Sequence, residues 1–132
     1  AAFYREVFQM YTICENIQQA DTLLADLFRA QDARVKITKL ITEQGKVNGN
    51  GDMLELIEVL VPEEKVEKTP QPIAAGLHIA FGVRDMEATR MAIAAHGGAC
   101  ATRVHDMGNG NLCCFCRDPE GNWIELIAHN EV

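Results

Sequence analysis

Asp118-Pro119-Glu120-Gly121-Asn122-Trp123-Ile124-Glu125-Leu126 reads as a tight turn feeding a strand. Pro119 pre-sets φ at the second position of the turn, and Gly121 gives the exit the backbone freedom that a hairpin strand needs. From Asn122 to His129 the alternation of a strand places Trp123, Glu125 and Ile127 on one face and Ile124, Leu126 and Ala128 on the other. Both faces are largely apolar, so the pattern predicts a strand covered on both sides. A carboxylate among such neighbours is costly unless something offsets it. Its partner is an Arg or Lys, or a cation, or else the side chain sits at a sheet edge and reaches water. Glu125 is therefore a candidate metal ligand.

The chain has 132 residues, 48% hydrophobic and 23% charged, which suits one globular domain with a sizeable core. Twelve Lys and Arg stand against nineteen Asp and Glu, a net charge of −7, and the basic residues are scattered. That balance argues against nucleic-acid binding. No apolar run is long enough to span a bilayer and no signal-peptide pattern is visible, so the expected setting is cytoplasmic, without a membrane.

The five cysteines, Cys14, Cys100, Cys113, Cys114 and Cys116, lack disulfide-framework spacing, in keeping with a reducing compartment. Strand alternation sends Cys114 and Cys116 to one face and Cys113 and Phe115 to the other. Cys113 and Cys116 thus face opposite ways, which opposes a shared zinc or a redox pair, and the thiols are expected to act as small apolar side chains.

The second half of the chain reads as β-α-β-β-β. A buried strand is predicted over 76–83 and a helix over 86–96, with Asp85 as N-cap, Met86, Thr89, Ile93 and Arg90 facing inward, and Gly97-Gly98 as the stop. An extended segment over 99–105, a Gly-Asn-Gly turn at 108–110, a strand over 111–117 and the strand of Glu125 follow. The first half repeats this order without its opening strand. A helix ends at Phe8, strands cover 10–17, 33–41 and 53–60, the stretch Gln18 to Asp32 is a short helix or an elaborated loop, and 48–52 is a turn. Three prolines and several charges make Val61 to Pro72 a linker.

The two halves correspond. Met53-Leu54-Glu55-Leu56-Ile57 matches Trp123-Ile124-Glu125-Leu126-Ile127, each following a turn and each placing a Glu between hydrophobic residues in the last strand of its half. Two such units would pair their sheets around a groove.

These segments, with Phe3-Tyr4-Arg5-Glu6-Val7-Phe8 and Gly76-Leu77-His78-Ile79-Ala80-Phe81, make the chain resemble the vicinal oxygen chelate superfamily, the fold of glyoxalases, bleomycin-resistance proteins and extradiol dioxygenases. The resemblance implies an α+β fold of two βαβββ modules, residues 1–61 and 76–132, joined by a Pro-rich linker over 62–75 into one structural domain. Paired curved mixed sheets would enclose the groove. By position it makes His78 the first-strand metal ligand of the second half, Glu125 its last-strand ligand, and Glu55 the last-strand ligand of the first half. The fourth ligand would lie on a strand preceding Ala1. A missing N-terminal segment is expected there rather than a strand from another copy, because a helix starting uncapped is an unfavourable beginning.

One imidazole and two carboxylates suit a divalent ion such as Zn, Ni, Co, Mn or Fe. The expected function is a glyoxalase-like lyase or isomerase that abstracts a proton next to a carbonyl and stabilises an enediolate on the metal, with Glu125 or Glu55 as base. Oxygenases of this superfamily leave the Glu55 position unneeded, whereas glyoxalase I and methylmalonyl-CoA epimerase fill it. The alternatives are a non-catalytic drug-binding or resistance protein, an Fe-dependent extradiol dioxygenase and an acyl-CoA epimerase. A small-molecule substrate and a homodimer are expected. His96, His105 and His129 are read as structural or solvent-facing, and Arg5, Arg34, Arg90, Arg103 and Arg117 as surface ion-pair partners.

Overall fold

The computed structural model describes residues 1–63, 71–108 and 110–129. It divides into two compact units, Ala1–Arg5 with Gln9–Glu67, and Glu6–Phe8 with Lys68–Val132. The fold is mixed α+β with two open sheets, one per unit.

The first unit holds most of α1 (Ala2–Phe8), then β1 (Tyr11–Gln19), α2 (Thr22–Phe28), β2 (Arg34–Ile41), α3 (Glu43–Asn48) and β3 (Met53–Val61). Its strands form an antiparallel sheet in the order β1-β2-β3. The stretch left open between helix and loop becomes α2, because the Asp21 carboxylate accepts the Leu24 N–H at 2.9 Å and caps the first turn. Leu24 then packs with Ala33, Val35 and Ile37, and Phe28 and Val59 close the cluster. The sequence pattern missed α3, which lies just before the predicted turn. Its start is set by Thr42, whose Oγ1 accepts the Gly45 N–H at 3.0 Å, and its end by Gly49 at φ 72°.

In the second unit, a 3₁₀ turn (Ile73–Ala75) leads to β4 (His78–Gly82), α4 (Met86–Ala95), β5 (Ala99–Cys100), β6 (His105–Asp106), β7 (Asn111–Arg117) and β8 (Trp123–His129). The sheet runs β4-β8-β7-β5, with β6 also on β7. β4 lies parallel to β8 and the other pairs are antiparallel. The single extended segment expected over 99–105 is broken in two, because the Ala101 and Thr102 N–H groups both donate to the Phe115 carbonyl and the backbone bulges there. Most of the expected linker, residues 64–70, and Asn109 of the hairpin turn lie outside the described residues.

Asp85 caps α4, accepting the Ala88 N–H at 2.9 Å. Met86 and Ile93 of the helix are buried, as are Ile124, Leu126, Cys114 and Cys116 of the sheet, and Cys114 touches Met86. Burying each of the large aliphatic side chains contributes about 1.5–3 kcal/mol. Thr89 and Arg90 are only half-buried. The opposite face of β8, predicted to be covered as well, is half-buried: Trp123, Glu125 and Ile127 alternate with the buried residues.

The turn between β7 and β8 owes more to Asp118 than to its proline. The Asp118 carboxylate accepts the Asn122 N–H at 2.8 Å, the Glu120 N–H at 3.0 Å and the Asn122 side-chain amide at 2.9 Å. With Gly121 at φ 89°, this Asx-type turn locks the hairpin register that places Phe115 opposite Glu125.

Candidate functional site

The half-buried face of the second sheet gathers the polar residues that the sequence singled out there. His78 opens β4 opposite Trp123, and Glu125 sits between Ala80 on one neighbouring strand and Phe115 on the other. Paired residues share a face, so the imidazole and the carboxylate project to the same side. His78 Nε2 lies 3.1 Å from Glu125 Oε2, with side-chain exposures of 41% and 22%.

The other carboxylate oxygen is held too. Cys113 Sγ donates to Glu125 Oε1 at 3.2 Å. Burial pushes the Cys113 thiol up to about 11, and the Glu125 carboxylate adds to the shift by stabilising the protonated form. The thiol therefore stays a donor at neutral pH. Alternation had set Cys113 apart from the buried Cys114 and Cys116, but its link to Glu125 escaped notice. Pairing residues outward from the 118–121 turn would have revealed it, since that turn puts Cys113 one diagonal step from Glu125.

Aromatic groups flank the pair. The Phe115 ring meets His78 edge-on at 5.3 Å and Trp123 edge-on at 6.2 Å. The Arg117 guanidinium lies 3.9 Å over the Trp123 ring, and the indole N–H donates to the Gln71 carbonyl at 2.7 Å. A cation stacked on an aromatic ring beside a carboxylate and an imidazole can orient a small molecule that carries both an anionic and an apolar part. A separate shallow cleft, lined by Gly97, Gly98, Pro119 and Gly121 among others, does not include His78 or Glu125.

Glu55 is the third residue of β3, as Glu125 is of β8, and alternates with half-buried Leu54 and Leu56 in the same manner. It belongs to the first unit, where its carboxylate meets Lys39 Nζ at 3.3 Å. Among the described residues no group of three His, Cys, Asp or Glu side chains is gathered to hold a metal ion. The donor chemistry of the His78–Glu125 pair nonetheless fits a divalent ion: one imidazole nitrogen and one carboxylate oxygen lie 3.1 Å apart on the sheet face.

The remaining histidines serve local structure or face solvent. His96 Nδ1 contacts the Ala92 carbonyl at 2.8 Å at the end of α4, His129 Nδ1 contacts Asn111 Oδ1 at 2.7 Å, and His105 is exposed on β6. Arg5 pairs with Glu15 and Arg90 with Glu87. Arg117 stacks on the Trp123 ring and donates to the Gly121 carbonyl at 3.4 Å.

A family model for the Glyoxalase/Bleomycin resistance protein/Dioxygenase superfamily matches residues 1–126. The chain belongs to that superfamily. Solved structures of the superfamily share its fold. A glyoxalase family protein from Bacillus cereus aligns with a TM-score of 0.82 at 20% identity, covering 96% of this chain and 82% of that one. A glyoxylase/bleomycin resistance protein/dioxygenase domain from Frankia sp. EAN1pec aligns at 0.61 and 15% identity, covering 98% and 81%. The fosfomycin resistance protein FosX from Listeria monocytogenes aligns at 0.56 and 15% identity, with the same coverage of 98% and 81%. No curated protein sequence matches. At these identities the superfamily fold is shared and the reaction is not thereby specified.

Proposed function

We propose that this superfamily member is a metal-dependent lyase or isomerase of the glyoxalase type, in which His78, Glu125 and Glu55 hold a divalent ion. The observation that carries the reading is the 3.1 Å approach of His78 Nε2 to Glu125 Oε2 across two parallel strands. Support comes also from FosX of Listeria monocytogenes, a protein of the same fold solved with Mn(II) and sulfate. When bound, such an ion polarises a carbonyl oxygen and eases loss of the proton on the adjacent carbon.

The chain's own groups do the rest. Cys113 holds Oε1 of Glu125 and His78 holds Oε2, so the carboxylate is fixed in orientation and would take a proton through Oε2 once His78 turns to another partner. Glu55 is the second candidate base. Phe115 and Trp123 limit water on one side, and Arg117 supplies positive charge for an anionic tail. The same reading takes a small-molecule substrate, two modules joined in one domain, a homodimer and a cytoplasmic setting.

The Lys39–Glu55 ion pair favours a second reading. A carboxylate already matched by an ammonium is a poorer ligand, which suits a non-catalytic small-molecule binder. The deciding experiment assays methylglyoxal with a thiol cofactor, with and without added divalent ions, alongside catechols under Fe²⁺ and oxygen. Metal-dependent loss of the 2-oxoaldehyde, abolished by Glu125→Gln, supports the lyase. Binding without turnover supports the binder, and ring cleavage of catechol supports the dioxygenase.

A further inference from the structure

On the sheet face covered by α4, away from His78 and Glu125, several sulfurs lie side by side. Met86 Sδ is 3.5 Å from Cys114 Sγ, and Cys114 Sγ is 4.0 Å from Cys116 Sγ. Cys116 in turn stands directly opposite Cys100 in the β5–β7 pair, and the Cys100 thiol contacts the Arg90 carbonyl at 3.8 Å. We propose that Cys100 and Cys116 form a reversible cross-strand disulfide when the protein meets a peroxide.

The register selects this pair. Cys100 and Cys116 are directly opposed in the antiparallel β5–β7 register, next to the bulge where the Ala101 and Thr102 N–H groups share the Phe115 carbonyl. The Cα atoms of directly opposed antiparallel residues stand about 4.5–5.5 Å apart. That separation lies inside the range of roughly 4.4–6.8 Å that a disulfide spans. Cys114 and Cys116 share a face two residues apart on one strand, so their Cα atoms are about 6.8 Å apart, at the outer limit. Cys113 points to the other face, towards Glu125.

Access is unequal. Cys116 is fully buried and Cys114 nearly so, and burial pushes both thiols up, which keeps them protonated. Cys100 is half-exposed on a two-residue strand at the edge of the sheet, where pairing opens easily. Cys100 sulfur, as thiolate, attacks one peroxide oxygen; the O–O bond breaks, giving a sulfenic acid and a hydroxide that takes up the Cys100 proton. Cys116 sulfur then attacks the sulfenic sulfur, the S–O bond breaks, and the leaving hydroxyl departs as water with the Cys116 proton. Two thiols and one hydrogen peroxide thus yield one disulfide and two waters. A dithiol reductant reverses the change.

The test treats the full chain with stoichiometric hydrogen peroxide, blocks free thiols, digests without reduction and maps the peptides by mass spectrometry. A peptide linking Cys100 to Cys116, lighter by two hydrogens and released by dithiothreitol, is the expected result. In Cys100→Ser, a change at a half-exposed position, the link disappears while the far-UV circular dichroism stays native. A Cys114–Cys116 link, an intermolecular link in place of the cross-strand one, oxidation of Cys100 to sulfinic acid alone, or an unchanged thiol count would overturn the proposal.

Discussion

His78 Nε2 lies 3.1 Å from Glu125 Oε2, although the two residues are 47 positions apart in the chain. The contact is diagonal: in the parallel β4–β8 pair His78 stands opposite Trp123, and Glu125 stands opposite Ala80. Because both side chains are partly exposed, the pair itself adds little stability, about 1 kcal/mol or less. Glu125→Gln should therefore leave the unfolding free energy from urea titration within that margin of wild type while lowering glyoxalase-type turnover at least about a hundredfold. A large loss of stability would assign the pair a structural role instead.

Cys113 gives a pH signature. Its thiol is raised in the folded protein from 9.0 to about 11, so the native state keeps a proton that the unfolded chain releases. Stability from this source is complete below pH 9 and is lost as pH rises from 9 to 11. For a partly buried group the loss is on the order of 1 kcal/mol. Urea midpoints of wild type should fall more steeply over that window than those of Cys113→Ser; Cys114 and Cys116, shifted in the same direction, leave a residual slope in both. Alkylation of Cys113 at pH 8 should run about a hundredfold slower than for an ordinary thiol, two tenfold steps in thiolate fraction.

Lys39 tests Glu55. The Lys39–Glu55 pair is more than a third exposed on both sides, so Lys39→Gln should change stability by no more than about 1 kcal/mol. If Glu55 is a ligand, freeing it from its ammonium partner should tighten divalent-ion binding by several-fold. Unchanged affinity in Lys39→Gln, together with unchanged affinity in Glu55→Gln, would remove Glu55 from the metal set.

Ile93 is wholly buried where α4 meets the second sheet. Ile93→Ala should cost about 2–5 kcal/mol, through lost transfer energy and the cavity left behind. Asp118→Ala should cost on the order of 1–3 kcal/mol, because two backbone N–H groups of the turn lose their acceptor. Denaturant titration measures both.

Much of this architecture was legible from alternation and punctuation. Period-two patterning assigned the faces of β7 and β8 residue by residue, since one face packs under a helix and tolerates only apolar groups. Asp85 and the glycine pair after α4 bracketed that helix correctly. What escaped was set by side-chain hydrogen bonds that no hydrophobic period reports. Thr42 starts a six-residue helix too short to show a stripe, Asn16 at φ 53° donates to Thr38 Oγ1 within an irregular β1, and Thr102 interrupts what pattern reads as one strand. At the site, the superfamily resemblance named His78 and Glu125 together, as first- and last-strand residues of one half, and the structure puts them in contact. Cys113 was hidden because a thiol near a carboxylate has no local signature, and Lys39 because cross-strand register decides which basic residue meets Glu55.

Titration of the metal-free protein with Mn²⁺, followed by electron paramagnetic resonance of the free ion, tests the proposed centre most directly. One site per chain should be filled, with affinity reduced tenfold or more in both His78→Ala and Glu125→Gln. Saturable binding that both variants leave unchanged, or no binding by a folded wild-type protein, would contradict a metal centre built on His78 and Glu125.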